Sequence, residues 1–123
     1  MDAKPKINYQ PIVEYLISQP IIKSKNRLSV LLGVPNNFFF RVEKGVVTGD
    51  KPETQARTLE VLSRFTGNPI YSSEASKILA RLPNQRVQKF YDLSRKLDEE
   101  WNQIEYCAGK FRVAPPSLRE IYS

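Results

Sequence analysis

The chain has no histidine and only one cysteine among its 123 residues. Histidine is the commonest general base at neutral pH and the commonest metal ligand, so both roles lose their usual residue. A single cysteine without histidine is a poor nucleophile, and no glycine-rich loop that would cradle phosphates is present. We therefore expect a protein that is not an enzyme and that uses no cofactor and no metal ion.

Two further absences concern where the protein works. The lone Cys107 cannot form an internal disulfide, which favours a reducing compartment. No apolar run approaches the roughly 18 residues that a membrane-spanning helix needs, and the first ten residues lack the apolar stretch of a signal peptide. The sequence therefore predicts a cytoplasmic protein without a membrane partner.

Positive charge is what the composition has in excess. Nineteen lysines and arginines stand against 13 acidic residues, which gives a formal net charge of +6. An excess of this sign favours an anionic partner such as nucleic acid. The 41% of hydrophobic residues is enough to build a packed core.

Apolar residues recur at three- and four-residue spacing along most of the chain, which predicts an all-α fold. Five helices are expected before Pro83 and a longer one after it. The predicted helices cover residues 10–19, two short segments within 24–45, 52–65, a segment capped by Ser72 or Ser73, and 84–107. Residues 1–9 are expected to form a flexible arm, and residues 110–123 an extended tail.

The stretch from 24 to 45, SKNRLSVLLGVPNNFFFRVEKG, predicts a helix, a tight turn and a second helix. Ser24 can cap the first helix, and Leu28 and Leu32 lie on its apolar face. Gly33 follows at the position where a chain leaving a helix often needs a positive φ. Residues 35–37 can restart a helix, with Phe39 turned toward the leucines. This order is typical of a helix-turn-helix, whose second helix enters the DNA major groove.

The same stretch resembles the core of the Cro/C1 (XRE) repressor-type helix-turn-helix family. The residues that match its pattern are Leu28, Ser29, Leu32, Gly33, Val34, Phe39, Val42, Glu43, Lys44 and Gly45. The segment from Pro52 to Pro69 resembles the next helix of that family. Lys25 stands where the family commonly has a glutamine. The resemblance covers about residues 10–68 and implies a Cro/C1-repressor-like helix-turn-helix fold. Together with the helical pattern, it leads us to expect a five-helix DNA-binding domain over residues 10–83, followed by a C-terminal helical extension over 84–123.

This resemblance implies a regulator of transcription that binds double-stranded DNA. Between Lys23 and Lys51, six basic side chains face two acidic ones. Asparagine can pair bidentately with adenine and arginine with guanine, while phenylalanine can touch a thymine methyl group. Lysine and arginine side chains around the second helix would contact phosphates. The predicted DNA-binding residues are Lys23, Lys25, Arg27, Asn36, Asn37, Phe38, Arg41 and Lys44.

Two features leave other partners open. Three consecutive phenylalanines occupy the second helix, where the family usually has small polar residues, so Phe38 and Phe40 could instead contact a protein partner. The long helix carries an apolar stripe with Ser94 as its polar exception. The stripe would be either the inward face of one helix or a homodimer seam, and it consists of Val87, Phe90, Leu97, Trp101 and Ile104. The tail would either cross the core as a strap or dock on a partner.

Overall fold

The computed structural model describes residues 7–18, 22, 24–44, 51–100 and 114–122, and these residues form seven α-helices and no strand. The predicted all-α class is confirmed. The helices are α1 (Tyr9–Ile17), α2 (Lys25–Leu32), α3 (Phe38–Glu43), α4 (Pro52–Thr66), α5 (Pro69–Leu79), α6 (Asn84–Glu100) and α7 (Leu118–Ile121). One hydrophobic cluster contains side chains from all seven helices, and α6 contributes to it through its N-terminal half.

The α1 helix begins at an asparagine cap rather than after a long arm. The side chain of Asn8 accepts a hydrogen bond from the backbone N–H of Gln10, and Ile7 and Tyr9 are buried. The backbone N–H of Asn8 donates to the carbonyl oxygen of Ile121 at 2.7 Å. The predicted flexible arm over residues 1–9 is therefore wrong for residues 7–9, because burial and this hydrogen bond fix them. Residues 1–6 lie outside the described residues.

The α4 and α5 helices are separated by a two-residue connection. Gly67 ends α4 in the left-handed region with φ 72°, as the predicted break there requires. Asn68 then caps α5 through its side chain, which accepts from the backbone N–H of Ile70 at 3.0 Å. The prediction of a cap at Ser72 or Ser73 is wrong. Proline is tolerated in the first turn of a helix, so Pro69 starts α5 instead of keeping the chain out of it.

The α6 helix packs its apolar stripe against its own chain. Phe90 is 4% exposed and Leu97 is 7% exposed, and Val87 packs on the hydrophobic cluster. Of the two alternatives, the inward face is therefore confirmed for these side chains, and a second copy cannot reach them because the protein itself covers them. Trp101 and Ile104, the remaining members of the stripe, lie outside the described residues.

The described part of the tail, residues 114–122, crosses the core as a strap. Tyr71 donates its hydroxyl hydrogen bond to the carbonyl oxygen of Pro116, and Ile121 is fully buried. The Tyr122 hydroxyl donates to Glu74 at 3.0 Å, and burial together with this bond raises the pKa of Tyr122 to about 12. The alternative of a strap is confirmed for these residues. They include the short helix α7, whose Ser117 and Glu120 form a reciprocal capping box that the sequence analysis missed.

Candidate nucleic-acid interface

The α2 helix, the turn after it and α3 have the order that the sequence predicts. The side-chain oxygen of Ser24 accepts from the backbone N–H of Arg27 at 3.3 Å, so the predicted cap is confirmed. Gly33 follows α2 with φ 71° and ψ 32°, the left-handed conformation predicted for it. A built Cβ on Gly33 would lie 3.0 Å from Leu97 Cδ1 of α6. The turn therefore needs glycine both for its backbone conformation and for the close approach of α6.

The α3 helix begins one turn after Gly33. The backbone N–H of Phe38 donates to the carbonyl oxygen of Pro35, and the N–H of Arg41 donates to that of Asn37 at 2.9 Å. Because its carbonyl accepts the first helical hydrogen bond, Asn37 occupies the position that precedes a helix. Asn36 and Asn37 are both exposed at this end of α3.

One face of α3 is buried by aromatic packing. Phe38 and Phe39 are 9% and 2% exposed. The ring centroid of Phe38 lies 5.2 Å from that of Phe39 and 5.7 Å from that of Tyr9, in edge-to-face arrangements that favour aromatic pairs. Phe38 therefore cannot contact a thymine methyl group or a protein partner, and both predictions for this residue are wrong. Two of the three consecutive phenylalanines, Phe38 and Phe39, are therefore buried in the hydrophobic core, whereas the sequence predicted only Phe39 there.

The opposite face of α3 is exposed and carries polar, aromatic and basic side chains. At about 100° per residue, Asn37, Phe40, Arg41 and Lys44 fall within one arc of the helix. All four are exposed, and Phe40 keeps 54% of its accessible surface. The Lys44 ammonium nitrogen lies 4.3 Å from the centroid of the Phe40 ring, a cation–π contact. The described structure thus brings three of the predicted residues onto one face and adds Phe40 to them.

The remaining predicted residues lie at the ends of the neighbouring helices. Lys25 is half-buried and Arg27 exposed in the first turn of α2, and Lys51 is exposed directly before α4. Lys23 lies outside the described residues, as do the side chains of Val42 and Glu43. Basic side chains are therefore present at the start of α2, along α3 and before α4.

A buried arginine that the sequence did not predict joins α2, α4 and α6. The guanidinium of Arg57 in α4 is 3% exposed. Its Nε and Nη2 donate to the carbonyl oxygen of Leu31 at 3.2 and 2.9 Å, and Nη2 also donates to Asp98 of α6 at 3.1 Å. Burial lowers the pKa of Arg57, while the Asp98 charge opposes that shift. Asp98 also contacts Arg64, so this one carboxylate pairs with two arginines of α4.

A sequence signal for this cluster exists in the spacing of α4. Arg57, Val61 and Arg64 lie at i, i+4 and i+7, so they share one helix face, and Val61 is 1% exposed. Basic residues on both sides of a buried apolar residue indicate that an acidic side chain from elsewhere in the chain lies close to them. The partner is 41 residues away from Arg57 in sequence, so the pattern alone does not identify it.

A second ion pair joins the start of α4 to α6. Arg86 donates through Nε and Nη2 to the two carboxylate oxygens of Glu53, at 2.8 and 2.7 Å. This bidentate bond holds the pKa of Glu53 below its usual value, against the opposing effect of burial. Glu53 also lies in the first turn of α4, where a negative charge is favourable.

Comparisons with protein-family models, curated protein sequences and solved structures found no match. Within the described ranges, no three histidine, cysteine or acidic side chains lie close enough together to hold a metal ion. In the same ranges, no helix combines the length and the apolar character needed to cross a membrane.

Proposed function

We propose that this protein binds double-stranded DNA with the exposed face of α3, as a small transcription regulator of the Cro/C1 helix-turn-helix kind. The observation that carries this proposal is the division of α3 into two faces. Phe38 and Phe39 fix the helix to the core, while Asn37, Arg41 and Lys44 remain exposed beside Phe40. A reading helix needs this combination, since base contacts require side chains held rigidly at a surface.

The roles of the exposed side chains follow from their chemistry. Asn37 can pair with adenine and Arg41 with guanine in the major groove, each through two hydrogen bonds. Phe40 replaces Phe38 as the apolar side chain that can meet a thymine methyl group. Lys44 is held over the Phe40 ring and would bring a positive charge to the adjacent phosphates.

The basic residues around α3 would provide affinity without sequence preference. Lys25 and Arg27 lie in the first turn of α2, and Lys51 lies before α4. Each phosphate contact releases counterions and carries no base identity. Removing one of these residues should therefore weaken binding to all DNA sequences alike. The net positive charge of +6 supports this part of the proposal.

The alternative is a protein–protein interaction module on the same helices. Of the two phenylalanines first considered for it, only Phe40 is exposed. One ring partly covered by Lys44 offers much less apolar area than a patch of two, so the structure gives this alternative less support than the sequence did.

Fluorescence anisotropy with labelled duplexes tests the proposal. The wild-type protein is expected to bind random duplex DNA with a strong dependence on salt concentration. Asn37→Ala and Arg41→Ala should each reduce discrimination between duplexes selected for tight binding to the wild-type protein and random duplexes by about 1–3 kcal/mol. Lys25→Ala should weaken both kinds of duplex equally.

Lys77→Ala is the matched control, because Lys77 is an exposed lysine on α5. It removes the same charge and should change DNA affinity less than Lys25→Ala or Lys44→Ala. If the control and the α3 variants have the same effect, binding depends on net charge alone and the proposed reading face is wrong. Binding of a protein ligand that is lost only with Phe40→Ala would favour the interaction module instead.

A further inference from the structure

The carbonyl groups at the C-terminal end of α2 are satisfied in two different ways. The last four carbonyl groups of a helix have no partner within the helix itself. The oxygens of Ser29 and Val30 accept from the backbone N–H groups of the two residues that follow α2 and lead toward α3. The oxygen of Leu31 instead accepts from Nε and Nη2 of Arg57, 26 residues away on α4. The end of α2 is therefore held from outside the helix-turn-helix.

The α6 helix sets the direction in which this arginine points. Nη2 of Arg57 donates both to the Leu31 oxygen, at 2.9 Å, and to the carboxylate of Asp98, at 3.1 Å. The arginine is only 3% exposed, and a buried guanidinium is unfavourable unless it is paired and hydrogen-bonded. The end of α2 and the C-terminal half of α6 are thus joined through one buried charge.

The same part of α6 also contacts the turn between α2 and α3. A Cβ on Gly33 would lie 3.0 Å from Cδ1 of Leu97 and 3.7 Å from Cδ2 of Leu93, so both leucines lie against this glycine. Leu97 is the neighbour of Asp98 in sequence. One turn of α6 therefore supplies both the apolar contact with the turn and the anion that orients Arg57.

The α3 helix depends on such contacts because it is short. It has six residues, and isolated helices of this length are not stable in water. Phe38 and Phe39 pack inward and so determine which face of α3 is exposed. The angle between α3 and α2 depends in addition on the turn that joins them, and α6 packs against that turn.

We propose that Arg57 is a positioning residue for α3. Together with Asp98 it couples α6 to the end of α2, and this coupling holds α3 at the angle at which Asn37 and Arg41 contact bases. A buried ion pair is often no more stabilising than apolar side chains of similar volume, so its directional bonds are its main contribution here. The role in DNA contact rests on the proposed function, whereas the coupling of α6 to the turn does not.

Amide hydrogen exchange without DNA tests the coupling. Arg57→Met removes the bridge and leaves Asp98 its contact with Arg64. Relative to the amides of α5, those of Gly33 and α3 should exchange about tenfold faster in this variant, because the turn opens more often. Asp98→Asn, a second variant that keeps every atom of Arg57, should change the same amides in the same direction.

Arg86→Gln is the matched control for these exchange measurements. It breaks a second ion pair between α4 and α6, the one with Glu53, and leaves the bond between Arg57 and the Leu31 oxygen in place. It should leave the exchange of Gly33 and α3 relative to α5 unchanged. Equal acceleration in Arg57→Met and Arg86→Gln, or no acceleration in Arg57→Met, would overturn the coupling.

Fluorescence anisotropy tests the role in DNA contact. Arg57→Met should reduce discrimination between duplexes selected for tight binding to the wild-type protein and random duplexes by about threefold to thirtyfold. The salt dependence should not change, because the phosphate contacts remain. Arg41→Ala should cost less discrimination in the Arg57→Met background than in the wild type, an effect that a purely stabilising residue would not produce.

The outcomes separate this inference from the proposed function. Unchanged discrimination in Arg57→Met, or additive effects of Arg57→Met and Arg41→Ala, would limit Arg57 to a structural role while DNA binding stands. A wild-type protein that binds no duplex DNA would end the proposed function and with it the role of Arg57 in DNA contact. Faster exchange of Gly33 and α3 in Arg57→Met would still establish the coupling in that case.

Discussion

Replacing Gly33 with alanine tests how α2, its turn and α6 depend on one another. Gly33 has φ 71° and ψ 32°, a conformation that L-residues with a Cβ adopt at a cost of about 1–2 kcal/mol. The new Cβ would also lie 3.0 Å from Leu97 Cδ1, which is closer than ordinary van der Waals contact. Leu97 is only 7% exposed, so its neighbours allow this atom only a small shift.

The close contact with Leu97 also lowers the free energy of unfolding, by an amount that can be estimated from overpacking in protein cores. Inserting one methyl group into a packed region typically costs about 1–3 kcal/mol. The contacting atom is the tip of a side chain that can shift by a few tenths of an ångström, so the lower end of this range applies. We expect Gly33→Ala to lower the free energy of unfolding by roughly 2–3 kcal/mol in total.

Chemical denaturation followed by circular dichroism measures this change, with Gly67→Ala as the control. Gly67 has φ 72° at the end of α4, so its replacement carries the same backbone cost. The Gly33 variant should be the less stable of the two, and shortening Leu97 to alanine should cost less in the Gly33→Ala background than in the wild type. An unfolding free energy for Gly33→Ala within about 0.5 kcal/mol of the wild type would refute the reasoning.

Three further predictions concern the ion pairs and α3. Asp98→Asn should lower the unfolding free energy by about 2–4 kcal/mol in denaturation experiments, because it leaves the buried guanidinium that it faces without its anion. Arg86→Gln should destabilise the protein at neutral pH, and the difference from wild type should vanish in acid. Because Arg86 lowers the pKa of Glu53, the stabilisation is complete above the ordinary value of 4.5 and is lost as pH falls through the lowered value, which a pH series of denaturation curves would reveal. Phe38→Ala should cost about 3–5 kcal/mol as a core truncation, whereas Phe40→Ala should change stability by about 0.5 kcal/mol or less, and equal effects would contradict the assigned faces.

The local features of the fold were predictable because their signals lie within a few residues. The Ser24 cap, the positive φ of Gly33 and the end of α4 at Gly67 each follow from the chemistry of one residue beside an apolar pattern. The sequence predicted that the α6 stripe forms an apolar face, but it did not predict which part of the protein covers that face. A helix that packs on its own domain and one that packs on a second copy have the same periodicity.

The features that were missed depend on residues distant in sequence. Arg57 and Asp98 are 41 residues apart, and Tyr71 meets the carbonyl oxygen of Pro116 across 45 residues. In α3, the sequence predicts that Phe39 faces inward, but it does not show that Phe38 rather than Phe40 joins it. The choice depends on where α1 lies, since Tyr9 supplies the ring against which Phe38 packs.

The most direct test of DNA binding through α3 is an NMR titration of the ¹⁵N-labelled protein with a short DNA duplex. Binding through this face should produce saturable shifts of the amide signals from Asn37 to Lys44 and at the start of α2, with the signals of the strap, residues 114–122, unchanged. The side-chain amide of Asn37 should shift as well if it contacts a base. Shifts confined to α5 or α7, or no shifts at low salt, would contradict the assignment of the exposed face of α3 as the DNA-binding surface.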